Sequence, residues 1–345
     1  MIKDEWGLVL SGGGAKGAYE IGVWKAIREL NMEHAITAVS GTSVGSLNAA
    51  LFAQGDYETA EQIWTNISMQ QILSPKNITA VEVEGVDDEI KQLIVQEVGG
   101  HLPKPLCAVM SWIQDIDKKL YTFALPVYIA SFAKKSFPIY TAMKLAPIFI
   151  SFIQQFLSVT SFKDAFQVTT EILRGLFRDG LFSQDGLESI INQHVDAQKI
   201  LESKIALYMH SYNVTKIQEE SFFIDESNIQ DLATIMLASS ALPAIYEDVL
   251  LNGDRYIDGG IPIIGDNVPV DTLYNQGYRK MIVVGMDDDM KPIKGYPDSL
   301  IYLIKPQSSL GGVFRGTLNF RSNYARKLIQ KGYEDAITIL KDIHV

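Results

Sequence analysis

Residues 7–51 read GLVLSGGGAKGAYEIGVWKAIRELNMEHAITAVSGTSVGSLNAAL. Gly7 to Leu10 is a short, continuous apolar run of the kind a buried parallel strand requires. Gly12 to Gly17 breaks it. Ala18 to Leu30 then carries apolar residues at helical spacing (Ile21, Trp24, Ile27, Leu30), and Asn31 is a stop signal. Ala35 to Val39 is a second short strand. It runs at once into Gly41-Thr42-Ser43-Val44-Gly45 and a helix carrying Leu47, Ala50 and Leu51. Two strand–turn–helix units in succession predict an α/β chain, expected as a three-layer α/β/α sandwich with a mostly parallel central sheet.

The 345 residues are 47% hydrophobic and 21% charged, which excludes wholesale disorder and leaves ample material for a core. A net charge of -11 and a pI near 5.0 argue against nucleic acid as a partner, because nucleic-acid binding needs a concentrated basic surface. The single cysteine, Cys107, excludes an internal disulfide and a cysteine-built zinc site. The start, Met1-Ile2-Lys3-Asp4-Glu5, leads into too short an apolar run for a signal peptide. The expected setting is therefore reducing and cytoplasmic, with a peripheral place at the inner membrane face expected only through residues 102–162.

Later stretches continue the α/β rhythm. Helices are expected at 186–194, 228–242 and 321–340, and strands at 205–212, 222–224, 255–257, 281–284 and 300–304. One domain over 1–345 is expected, with a distinct helical insertion at 102–162. That insertion holds six lysines against Asp115 and Asp117, and 11 of the chain's 34 aromatics. Its proline-broken amphipathic pieces suit a lid or a membrane-docking element, or a cap that packs internally.

Three constellations carry chemistry. Ser43, in Gly41-x-Ser43-x-Gly45 between a strand and a helix, has the setting of a nucleophile elbow, where a tight turn lifts the hydroxyl above the sheet edge. The same pattern also occurs as a plain structural turn. The Gly12-Gly13-Gly14-Ala15-Lys16-Gly17 run aims several backbone amides at one point and suits an anion, either a phosphate or an oxyanion. Read literally it also satisfies a dinucleotide fingerprint, which makes a nucleotide-binding oxidoreductase the competing reading. The acidic ribose ligand wanted at the end of the second strand is replaced by Ser40. Asp258, in Asp258-Gly259-Gly260 after a strand, is a better base than any of the five histidines, although Asp-Gly-Gly is also a common turn. The Asp287-Asp288-Asp289 run lacks calcium-loop spacing and is expected to be a solvated turn.

Taken in chain order, these three motifs resemble those of the patatin-like phospholipase family, bacterial type. Ala238-Ser239-Ser240-Ala241-Leu242-Pro243 and Asn267-x-Pro269-Val270 are similar to further segments of that family, as are residues 179–187 and Gly332-Tyr333-Glu334-Asp335-Ala336. The resemblance covers about residues 5–60 and 175–340. Residues 61–175 depart from it, and the spacing from Gly260 to Asn267 is longer than usual.

The resemblance implies a Ser–Asp dyad that hydrolyses lipid esters without histidine, with Ser43 as nucleophile and Asp258 as general base. It implies an oxyanion hole formed by Gly12, Gly13 and Gly14 with Lys16, and neither cofactor nor metal. The implied substrate is a phospholipid, a lysophospholipid or a neutral acylglycerol. An acyltransferase would use the same residues with an alcohol in place of water. A classical α/β-hydrolase fits less well, since only two strands precede Ser43 and His344 is the sole late histidine. A non-catalytic lipid-binding protein is the remaining alternative.

Overall fold

The computed structural model describes residues 2–75, 180, 182–243, 245–261 and 265–343. The expected insertion at 102–162 lies outside the described residues. The elements, in order, are β1 (Lys3–Leu10), α1 (Ala18–Glu29), β2 (Ile36–Thr42), α2 (Val44–Ala53), α3 (Tyr57–Asn66), α4 (Met69–Ile72) and β3 (Ser74–Pro75). Next among the described residues come β4 (Phe182–Ser183), α5 (Asp185–His194), α6 (Ala197–Glu202), β5 (Ala206–Asn213), β6 (Gln218–Phe223) and α7 (Leu232–Ser239). The chain closes with β7 (Val249–Leu251), β8 (Asp254–Asp258), α8 (Val270–Asn275), β9 (Tyr278–Val284), β10 (Leu300–Ile304) and α9 (Ser322–Leu340).

The main sheet runs β10-β9-β1-β2-β5-β8-β7, with β6 also paired to β5. From β10 to β5 every pairing is parallel, and the β6, β7 and β8 pairings are antiparallel. The mixed sheet matches the expected α/β class, and its parallel half holds the opening units. β3 and β4 pair separately, Ser74 opposite Ser183.

Side chains alternate across the sheet as strand geometry requires. Leu8 and Leu10 of β1 join Ile282 and Val284 of β9 in the larger core, under α1, α2 and α9. Val9, Met281 and Val283 point the other way, into a smaller core closed by Val270 and Leu273 of the short α8. Among the described residues, the first of these cores is thus much the larger. Every residue of α2 is buried, which suits a helix apolar nearly all round. Its Asn48 is satisfied completely: Nδ2 donates to the Gly17 carbonyl (3.0 Å) and to Glu20 Oε2 (2.8 Å), and Oδ1 accepts from Trp64 Nε1 (2.8 Å).

The structure moves several expected boundaries. β1 starts at Lys3, since pairing with β9 extends past the apolar run and Lys3 sits over the Tyr278 ring. The helix expected over 228–242 is a 3₁₀ turn at Ile229–Asp231 followed by α7, which stops at Ser239. Beyond Ser239 the backbone turns away to pair with another strand, as Ala241 accepts from the Asp258 amide. β6 is longer than the expected 222–224, because an edge strand with one solvated face carries polar residues that hide it.

Candidate active site

β5 has two edges. β6 occupies one along residues 208–213. On the other, β2 pairs parallel as far as Thr42 opposite His210, and β8 pairs antiparallel from Ser211 onward, with Asp258 opposite Ser211. The two strands therefore end facing one another at consecutive residues of β5. Ser43 follows Thr42 directly, so the fold brings Ser43 and Asp258 together although they lie far apart in sequence.

Ser43 caps α2 with φ 55° and ψ -127°, a backbone region sparsely occupied by residues with a side chain. Such a cap serine usually turns its hydroxyl back onto the helix amides. Here the hydroxyl makes no capping bond, and it lies near enough to the Asp258 carboxylate to favour its charged form. The turn is possible because of its flanking glycines. A Cβ on Gly41 would stand 2.2 Å from the Gly45 carbonyl oxygen, and one on Gly45 would stand 2.5 Å from that of Leu10.

Asp258 is 3% exposed. Burial pushes its carboxyl up from the ordinary 3.8 to about 6, while the Ser43 hydroxyl and the Gly260 amide (2.7 Å) pull it partway back by donating to the charged form. Asp266, also raised to about 6 by burial, holds Thr42 through its backbone carbonyl at 3.0 Å. His210, a strand histidine, is buried beside Gly259. Burial holds its imidazole down at about 4 and therefore neutral, with Nδ1 3.0 Å from Ser221 Oγ.

The glycine turn lies against both residues. Gly12 donates its amide to the Asn267 carbonyl (3.1 Å), and Asn267 Nδ2 donates back to the Gly12 carbonyl (3.2 Å). Gly12 is thereby committed to structure. Gly13 and Gly14, both half-buried, front the turn, and among the described residues no carbonyl accepts the Gly13 amide. Lys16 is paired through Nζ with Asp287 Oδ1 at 3.2 Å. The acidic run after β9 thus has a member that anchors the glycine turn.

Sequence reasoning left the clamping role of Asn267 and the partnership of Lys16 with Asp287 unassigned. The first depends on a loop reaching from β8 across to β1 and the second on β9 lying beside β1, and residue type alone carries no trace of either. A Cβ on Gly12 would stand 2.4 Å from Asn267 Oδ1 and 3.0 Å from Ser43 Cβ. Gly12→Ala should therefore shift the turn against Ser43 while the protein still folds. The expected loss of turnover is about 100-fold, the scale set by misplacing a reacting group by about 1 Å. Steady-state kinetics beside a circular-dichroism melt would check it.

The patatin-like phospholipase family model matches residues 8–274. A 64-residue stretch is 44% identical to patatin-like phospholipase domain-containing protein ZK370.4 of Caenorhabditis elegans, covering 17% of this chain and 5% of that one. A 48-residue stretch is 48% identical to lysophospholipase nte1 of Aspergillus terreus, covering 14% of this chain and 3% of that one. Each alignment thus spans only a small part of those much longer relatives.

Among solved structures, the chain is similar to VipD from Legionella pneumophila, with 16% identity and a TM-score of 0.49 over 98% of this chain and 67% of that one. It is also similar to the ExoU–SpcU complex of Pseudomonas aeruginosa, with 16% identity and a TM-score of 0.35 over 99% of this chain and 52% of that one. The family match runs from β1 into α8 and so takes in both strand ends that carry Ser43 and Asp258: the chain belongs to the patatin-like phospholipase family.

Proposed function

We propose that this protein is a lipid acyl hydrolase of phospholipase A or lysophospholipase type, with Ser43 as nucleophile and Asp258 as general base. The observation that carries the reading is the end-on meeting of β2 and β8 along one edge of β5. It sets an uncapped serine hydroxyl against a buried carboxylate whose pKa, about 6, suits a base working near neutrality.

Ser43 Oγ attacks the acyl carbonyl carbon as its proton passes to Asp258. The developing oxyanion is met by the Gly13 and Gly14 amides, with Gly12 and Lys16 holding the turn in place through Asn267 and Asp287. Collapse breaks the ester bond, and the departing alcohol takes the proton from Asp258. A water then gives its proton to Asp258 and attacks the acyl-enzyme, which returns free Ser43 and a fatty acid. The substrate is a phospholipid or another acyl-ester lipid met at a membrane surface, and the protein's place is the cytoplasm or the inner membrane face.

A fluorophosphonate probe tests the assignment. Wild type should label covalently, and Ser43→Ala should show no labelling above background, with its melting curve unchanged. Labelling that persists in Ser43→Ala would sink the reading. Binding of NAD(P)H together with indifference to this substitution would favour a nucleotide-binding oxidoreductase, and vesicle binding without any labelling would favour a non-catalytic lipid binder.

A further inference from the structure

We propose that Ser239, the last residue of α7, is a positioning residue that sets the separation of Ser43 and Asp258 by holding the Ser43 backbone in its turn. The proposal rests on the Ser43–Asp258 reading above. The Ser43 amide donates to Ser239 Oγ at 2.9 Å. Two residues on, the Ala241 carbonyl accepts the Asp258 amide, also at 2.9 Å. One three-residue segment therefore grips the backbones of both groups.

Ser239 is itself gripped. Its hydroxyl donates to the His210 carbonyl at 2.6 Å, on the β5 residue that pairs with Thr42. A hydroxyl has one proton, so with that proton given to His210 the oxygen can only accept from its other neighbours. It accepts from the Ser43 amide and from Ser46, whose hydroxyl lies 2.7 Å from Ser239 Oγ and 2.8 Å from the Gly41 carbonyl and shares its proton between them. Ser239 is fully buried on a helix otherwise made of Leu, Ala, Thr, Ile and Met. A lone hydroxyl at such a position is costly unless bonded, and here it has three partners, all belonging to the walls of the site.

A positive φ at a serine persists only where its surroundings over-determine it. Of the bonds that do so at Ser43, the one to Ser239 acts on the amide of the strained residue. Without it the buried amide has lost its acceptor and the turn can relax by rotating the peptide, carrying the Ser43 hydroxyl away from Asp258. Only the fraction of molecules still in the strained form would then react. Substrate contacts are untouched, so the effect falls on kcat and leaves KM alone. Asp258 also loses the hydroxyl that favours its charged form, so the acid limb of the rate profile moves to higher pH.

Hydrolysis of a short p-nitrophenyl ester and the rate of fluorophosphonate labelling test this in the full chain. Ser239→Ala should lower kcat and the labelling rate about 100-fold, with KM held within about twofold. It should also raise the midpoint of the acid limb. Ser239→Cys fills the same space with a poor acceptor and should behave like Ser239→Ala, whereas Ser239→Thr keeps the oxygen and should recover most of the rate. Ile235→Val, a core substitution on the same helix, should lower stability and leave both the rate and the pH profile as they were.

Wild-type kcat and acid limb in Ser239→Ala, or in Ser239→Cys should the alanine variant fail to fold, would overturn the proposal. If Ser43→Ala or Asp258→Asn is itself active, the dyad reading falls and this inference with it. If both are silent while Ser239→Cys is fully active, only the positioning role is lost.

Discussion

Asp258→Asn should lower turnover on the order of 10⁴-fold, the scale at which a positioned base contributes alongside its nucleophile, and should at the same time make the folded protein more stable above pH 6. Both effects come from the same burial. In the folded chain the carboxyl is held at about 6, against the ordinary 3.8. The folded state therefore binds a proton between those values that the unfolded chain has already released.

The stability this supplies is fully present below about pH 4 and is lost as pH rises through 6, where a charge must be kept in a buried site. At pH 8 the wild type carries that cost, on the order of 3 kcal/mol for a two-unit shift, and the asparagine variant does not. The asparagine oxygen still accepts from the Gly260 amide, so the loop keeps its bond. Urea melts of both proteins at pH 4 and pH 8 would check this: the curves should nearly coincide in acid and separate in base, with the variant higher. Activity of the wild type should rise through a midpoint near 6. A variant less stable than wild type at pH 8 would contradict the assignment of a buried, ionised carboxylate.

The largest effect on folding is expected where α1 crosses α9. Gly22 and Gly332 meet there reciprocally, a Cβ on Gly22 standing 1.9 Å from the Ile329 carbonyl oxygen and one on Gly332 standing 2.0 Å from that of Tyr19. The obstacle in each case is backbone, which no side-chain rotation relieves. Gly332→Ala must therefore push the helices apart, which opens the core around Ile329 and Leu328 and stretches the buried hydrogen bond from Tyr19 Oη to Asp335 (2.9 Å).

Alanine is the better helix former, so helix propensity alone predicts stabilisation by about 1 kcal/mol. The close approach should reverse that sign and leave a net loss on the order of 3 kcal/mol, read as a lower urea midpoint with an unchanged slope. Gly312→Ala, whose added Cβ would meet no described atom beyond its chain neighbours within 4 Å, should stay within about 0.5 kcal/mol of wild type.

The opening strand–glycine–helix units were legible because each is local. An apolar run, a break and a 3.6-residue repeat need no distant partner to be recognised. The same holds for Ser43 between two glycines, whose five residues permit the tight turn, and for each of the three motifs taken singly. The polar start of β6 and the early end of α7 were not legible. An edge strand with one wet face has no continuous apolar run, and the segment after α7 leaves the helical path to pair through the Ala241 carbonyl with Asp258, a residue well downstream.

Residue type and spacing thus determined that this is an α/β chain with a serine between two glycines at a strand–helix turn, a glycine anion turn and a candidate carboxylate base. Tertiary structure alone decided that β2 and β8 end on neighbouring residues of β5, that burial lifts Asp258 toward neutrality, and that Asn267, Asp287 and Ser239 hold the pieces in place. The physical reason is range. Backbone propensity and periodicity act over a few residues, whereas pKa values, hydrogen-bond partners and the meeting of strand ends are set by groups that only folding brings within a few ångströms.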